Sequence, residues 1–127
     1  MSQEEKTERV YARLVHKLTK ENLWLYILAL VCEKPRYGYE MRKEIHRRFG
    51  FQPGRVTSYR VLYALERGGY IVTKREATSK EGPSRKYYAI THEGQGLLDR
   101  AEYFLGDTLG RLSGKQHSTN GQKRCEK

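Results

Sequence analysis

Arg55, Thr57, Ser58, Tyr59 and Arg60 crowd the start of a run from Arg55 to Arg67 in which Val61, Leu62 and Leu65 mark one buried side. Hydroxyls, guanidinium forks and the free N–H groups of a helix start are suited to phosphate oxygens and guanine edges. Thr57 and Ser58 also suit ordinary helix-start capping, and Arg60 suits a solvated charge, so the joint presence of the five carries more than any single residue. Tyr63 and Arg67 follow Arg60 at helical spacing, and Tyr59 precedes Tyr63 by one turn. That side of the helix faces solvent or a ligand.

A second group of cations lies farther on. Tyr70 to Glu76 and Arg85 to Ile90 are β-rich runs joined by Ala77 to Ser84, whose composition signals a turn. The pair reads as a two-stranded hairpin carrying Lys80 at its tip and Arg85 and Lys86 beside it. Cations so placed follow a phosphate backbone or enter a minor groove. Lysine on a hairpin edge also serves solubility and guards the edge strand, and for Lys80 the two readings weigh equally.

The charge balance agrees. The formal net charge is +10, and residues 36–86 hold thirteen Lys or Arg against five acids. A surplus concentrated in the middle of the chain attracts a polyanion, and nucleic acid is a commoner one than an anionic membrane surface.

Other chemistries find little support. His16, His46, His92 and His117 are scattered over different elements, with no triad, His-Glu-x-x-His or paired-cysteine pattern, so neither an enzyme nor a metal site is expected. Gly94-Gln-Gly96 lacks the third glycine and the preceding parallel strand of a dinucleotide fingerprint, and no cofactor is expected. Cys32 and Cys125 are too few and too far apart for a disulfide framework. The apolar run from Leu23 to Cys32 is about half of the roughly 20 residues that cross a bilayer. With an acidic, polar start at Met1 to Glu5, a cytoplasmic setting without membrane contact is expected.

These residues need elements to hold them. Ser2 and Glu5 have capping-box spacing, and Val10, Leu14 and Leu18 recur every fourth residue, predicting an amphipathic helix over 3–19 that lies on the core or on a partner. Leu23 to Lys34, stopped by Pro35, reads as the central core helix and includes Trp24. A third helix runs from Tyr37 or Gly38 to Phe49, with Met41, Ile45 and Phe49 on one face and Gly50 as its C-cap. After Phe51 to Gly54 comes the helix from Arg55, and after the hairpin Thr91 caps a long final helix.

The order of elements predicts a mainly α chain with a small β-hairpin: a winged helix-turn-helix over 21–91, an extra N-terminal helix over 1–20 and a C-terminal helix over 92–113. Residues 114–127 lack periodicity and read as a disordered basic tail. The helix from Arg55 is then the recognition helix for a major groove. In the final helix Leu98, Ala101, Leu105, Thr108 and Leu112 alternate three and four apart, the spacing of a seam, which predicts a homodimer. Gly106, Gly110 and Gly114, four apart, are compatible with close helix approach there, or with fraying.

Leu25-Tyr-Ile-Leu-Ala-Leu, Tyr37-Gly-Tyr-Glu-Met, Thr57 to Ile71 and Gly82-Pro-Ser-Arg-Lys-Tyr-Tyr-Ala-Ile-Thr91 resemble successive signatures of the PadR-like transcriptional regulators. The resemblance runs from about Leu23 to Leu98. It implies a winged-helix, repressor-like dimer, joined through its C-terminal helix, that binds a partly palindromic duplex. It places Tyr59 in the recognition helix, Tyr37 and Tyr39 near the DNA backbone, and Arg85 and Lys86 at the exit of the wing. Arg60 stands where many members carry proline, which adds a possible DNA contact and changes the local helix start; the dimerising helix lacks the tryptophan with which some members bind aromatic drugs, so no effector site is carried over. Two other readings stay open: a nonspecific DNA-coating protein, and a winged helix that binds protein or RNA.

Overall fold

The computed structural model describes residues 1–77 and 85–114. A first helix, α1 (Gln3–Leu18), starts at a capping box in which the Glu5 N–H and the Ser2 N–H each donate to the other residue's side chain at 3.2 Å. A short 3-10 turn (Lys20–Asn22) leads to α2 (Leu23–Glu33), β1 (Arg36–Tyr37) and α3 (Gly38–Phe49). Then come α4 (Arg55–Arg67), β2 (Ile71–Ala77), β3 (Arg85–Ile90) and α5 (His92–Leu112).

Helix α2 is the axis of the core. Leu23, Ile27, Leu28, Leu30 and Val31 are buried, joined by Met41 and Ile45 of α3, Leu62 and Leu65 of α4, Ile71 and Ile90 of the sheet, and Leu98 of α5. Truncating such a residue to alanine costs about 2–5 kcal/mol, so this cluster dominates stability. Trp24 is half-buried against the cluster, and its indole N–H donates to the Asn22 side chain at 3.2 Å. Phe49 turns out of the core stripe and meets the Tyr26 ring edge-on at 4.9 Å. Gly50 ends α3 in the left-handed region at φ 79°, as the C-cap reading requires.

Three features differ from the sequence reading. The hairpin is part of a three-stranded antiparallel sheet, ordered β1-β3-β2, with Arg36 opposite Tyr88 and Tyr37 opposite Tyr87. A two-residue strand is too short to show any alternation, and Tyr37 is at once its last residue and the N-cap of α3. Second, α1 buries no residue: Val10, Tyr11, Leu14, Val15 and Leu18 are all exposed, so the helix does not lie on its own core. Third, Leu98 is fully buried in the core and not available to a seam on α5.

The joints around α2 and β1 are polar. Arg36 is buried; its Nε donates to the Leu30 carbonyl at 3.0 Å and its Nη2 to Glu33 at 2.8 Å. Glu33 also accepts from both terminal nitrogens of Arg48, which reaches on to Glu44, itself paired with Arg47. The Arg48 guanidinium holds the Glu33 carboxyl below its ordinary range. Arg47, then Arg48, lower Glu44 to about 2. This chain of ion pairs ties the end of α2 to β1 and to the last turns of α3.

Candidate nucleic-acid interface

Helix α4 has no side chain capping its start; Gly54 is its N-cap, and the first-turn N–H groups lie beside Arg55, Val56 and Thr57, all exposed. Ser58 does not join them. It is buried, and its hydroxyl donates to the Gly54 carbonyl at 2.7 Å, so it serves the helix start and is withdrawn from the set of surface contacts. One exposed face of α4 carries Val56, Arg60, Tyr63 and Arg67 at helical spacing, with the Arg67 guanidinium 5.1 Å from the centroid of the Tyr63 ring. Val56, 67% exposed, was missed in the sequence reading. Its signal was present: it falls outside the Val61, Leu62, Leu65 stripe and one turn before Arg60.

Tyr59 lies on a different side. A β-carbon on Gly38 would stand 2.8 Å from its ring, so the first residue of α3 must be glycine for the ring to seat there. Tyr59, Tyr37, Tyr39, Arg85 and Lys86 line one cavity of about 420 Å³ between the start of α3, α4 and β3. The Tyr37 ring meets the ring of Tyr87 on β3 edge-on at 5.3 Å, and the Arg85 guanidinium lies 4.8 Å from the Tyr37 centroid. Tyr39 is exposed, with the Lys43 ammonium 5.4 Å from its ring. Five residues from three separate parts of the sequence are thus brought together. Thr57 borders a different cavity, with His16, Lys20 and Pro53. Lys80 lies outside the described residues.

Lys86 is shared within the protein. Its ammonium donates to Glu66 Oε1 at 3.3 Å and sits 5.5 Å from the Tyr88 ring centroid. Glu66 Oε2 accepts from the Thr73 hydroxyl at 2.6 Å. That hydrogen bond, with the nearby ammonium, holds the Glu66 carboxyl below its ordinary range, whereas burial pushes the Tyr88 phenol up. Between Thr73 and Arg75 a bulge leaves Lys74 of β2 unmatched in the register with β3, and its side chain is exposed.

On α5, Leu105 and Leu112 are exposed while Ala101 and Thr108 are half-buried. Tyr103, Phe104 and Leu109, not named from the sequence, widen the apolar strip. Their spacing departs from a strict seam, which hid them. Among the described residues no group of three or more His, Cys, Asp or Glu gathers as metal ligands, and no helix is long and apolar enough to cross a membrane.

Residues 27–100 match the model of the transcriptional regulator PadR-like family. An uncharacterised protein of Lysinibacillus sphaericus is 42% identical over 74 residues, spanning 57% of this chain and 67% of that protein. Among solved structures, a PadR family transcriptional regulator from Eggerthella lenta superposes with TM-score 0.69 at 25% identity, over 86% of this chain and 96% of the other. Bacillus subtilis PadR, solved in complex with operator DNA, shares the fold at TM-score 0.57 and 22% identity, over 61% of this chain and 45% of that one. With a winged helix in place and the family match covering its whole recognition unit, the chain belongs to the PadR-like family of transcriptional regulators.

Proposed function

We propose that this regulator binds duplex DNA sequence-specifically as a homodimer and represses by occupying its site. The exposed face of α4 enters the major groove, where Arg60 reads a guanine edge and Val56 meets a thymine methyl. Arg55 and Thr57, with the α4 N–H groups, take phosphates, as do Tyr37, Tyr39, Tyr59 and the wing cations Lys80, Arg85 and Lys86. The observation that carries this reading is the convergence of Tyr37, Tyr39, Tyr59, Arg85 and Lys86 around one cavity beside α4, in the stretch that holds the chain's cationic surplus. The operator complex of Bacillus subtilis PadR supports the duplex as partner for this fold.

A second copy of the chain covers the apolar surfaces left bare. A lone 16-residue helix without buried side chains is marginal in water, so α1 needs a partner to persist. It carries Arg9, Arg13 and Lys17 beside Val10, Leu14 and Leu18, and α5 carries Asp99, Glu102 and Asp107, the last paired with Arg111, beside Phe104, Leu105 and Leu109. The two stripes complement each other in charge and in apolarity. Paired around a two-fold axis, two α4 helices would stand about 34 Å apart, one DNA turn. The working compartment is the cytoplasm, where such DNA lies.

The test is selection of binding sites from random duplex DNA, followed by affinities for selected and random duplexes at two salt concentrations. A palindromic winner bound at least about a thousandfold more tightly than random DNA is expected. Near-equal, steeply salt-dependent affinities would replace this reading with a DNA-coating protein, and no duplex binding would replace it with a protein or RNA partner.

A further inference from the structure

Glu66 is the one acid of α4, and it stands in the last turn. An acid is disfavoured at a helix C-terminus, where the unsatisfied carbonyls already carry negative charge, so helix stability does not explain it. Its two oxygens go to different strands of the wing: Oε2 to the Thr73 hydroxyl on β2 and Oε1 to the Lys86 ammonium on β3. One carboxylate therefore ties the candidate recognition helix to both strands that carry the wing. It also occupies a cation that shares a cavity wall with Tyr59.

Resting on the DNA-binding reading above, we propose that Glu66 is a positioning and selectivity residue for the duplex. The tie to Thr73 fixes the wing against α4, so that helix and wing reach the DNA in one register. The tie to Lys86 withholds that ammonium from loosely placed phosphates. Only a site that seats α4 fully brings a phosphate close enough to compete with the carboxylate for Lys86. A random duplex, held farther off, meets an interface with one cation fewer and one acid more. Discrimination then comes partly from what the protein withholds and not only from what it offers.

The experiment compares the full-length wild type with Glu66→Gln, Glu66→Ala and Thr73→Val, each first shown to melt cooperatively. Each is measured on the selected duplex and on a random duplex of equal length across a salt series. Glu66→Gln keeps an acceptor for Thr73 and frees Lys86. It is expected to bind random DNA about three- to tenfold more tightly, with a salt slope steeper by about one phosphate contact, and to gain clearly less on the selected duplex, where the wild type already engages Lys86. Thr73→Val is expected to weaken the selected duplex several-fold without tightening the random one. Glu66→Ala, which loses both ties, is expected to do both. Unchanged random-duplex affinity and slope in Glu66→Gln would overturn the proposal, as would an equal gain on both duplexes. Should the wild type itself prefer no sequence, the DNA-reading proposal falls on that control, while the random-duplex slope of Glu66→Gln still decides whether Lys86 is withheld.

Discussion

The Tyr59 ring rests against the backbone of Gly38, close enough that a β-carbon there would lie 2.8 Å from Cε1 and 2.9 Å from the hydroxyl oxygen. The first residue of α3 thereby sets where a side chain of α4 points. Gly38→Ala is expected to displace the ring and to cost about 1–3 kcal/mol of affinity for the selected duplex. In a double-mutant cycle Gly38→Ala should add little on a Tyr59→Ala background. Additive losses would show that Gly38 acts by some route other than the ring.

Arg60 and Val56 share the exposed face of α4. If they read bases, Arg60→Ala loses about 1–3 kcal/mol on the selected duplex and much less on random DNA. Val56→Ala should relax preference at a single thymine position. Repeating the site selection with each variant measures both, and an equal Arg60→Ala loss on every sequence makes it a phosphate contact.

Leu109 and Leu112 are 68% and 80% exposed, and Leu105, also exposed, lies one turn before Leu109. A charge placed in a buried interface without a partner is costly. Leu109→Glu is therefore expected to shift the protein from dimer to monomer, read by light scattering after size exclusion, and to lower operator affinity with it. A wild type that runs as a monomer would remove the dimer from the proposed function.

Gly94, in the first turn of α5, has no room for a side chain. A β-carbon there would lie 2.1 Å from the Tyr70 carbonyl oxygen, which is backbone and cannot swing away. Thr91 fixes the same corner, its hydroxyl donating to the Gly69 carbonyl at 2.6 Å and accepting from the Gly94 N–H at 3.0 Å. Gly94→Ala is expected to cost at least about 2 kcal/mol, measured by urea unfolding.

Glu33 and Glu44 are both held below their ordinary range by arginines, Glu44 to about 2 by Arg47 and then Arg48. Their carboxyls titrate lower folded than unfolded, so the stabilisation is complete above the unfolded value of 4.5 and disappears as the pH falls toward about 2. Unfolding measured from pH 5 down to pH 2 should show stability dropping in the wild type and dropping less steeply in Glu44→Gln. Identical slopes would remove Glu44 from acid stability.

Much of the architecture was legible because it follows from local chemistry. The capping box at Ser2 and Glu5, the stop at Pro35, the glycine at Gly50 and the apolar period of α2 to α4 each reflect a constraint within a few residues. The two β-rich runs and the cationic middle were equally plain, and together they specified a winged helix with a polyanion partner. The missed parts are those whose reason lies across the fold. Ser58 reads like a surface hydroxyl, but the rotation of α4 on α2 turns it inward. Leu98 fits a seam by spacing, yet the start of α5 packs it into the core while Tyr103, Phe104 and Leu109 remain outside.

Sequence alone determined the order and kind of the five helices and the two hairpin strands, because helix periodicity, caps and turns are written in neighbouring residues, whereas β1 was not legible there. Tertiary structure alone decided that Tyr37, Tyr39, Tyr59, Arg85 and Lys86 share one cavity, that Arg36 of β1 is buried against the end of α2, and that Glu66 holds Lys86. These arrangements join residues as many as 49 positions apart, from Tyr37 to Lys86, and side-chain spacing along a strand or helix carries no record of which distant face it will meet.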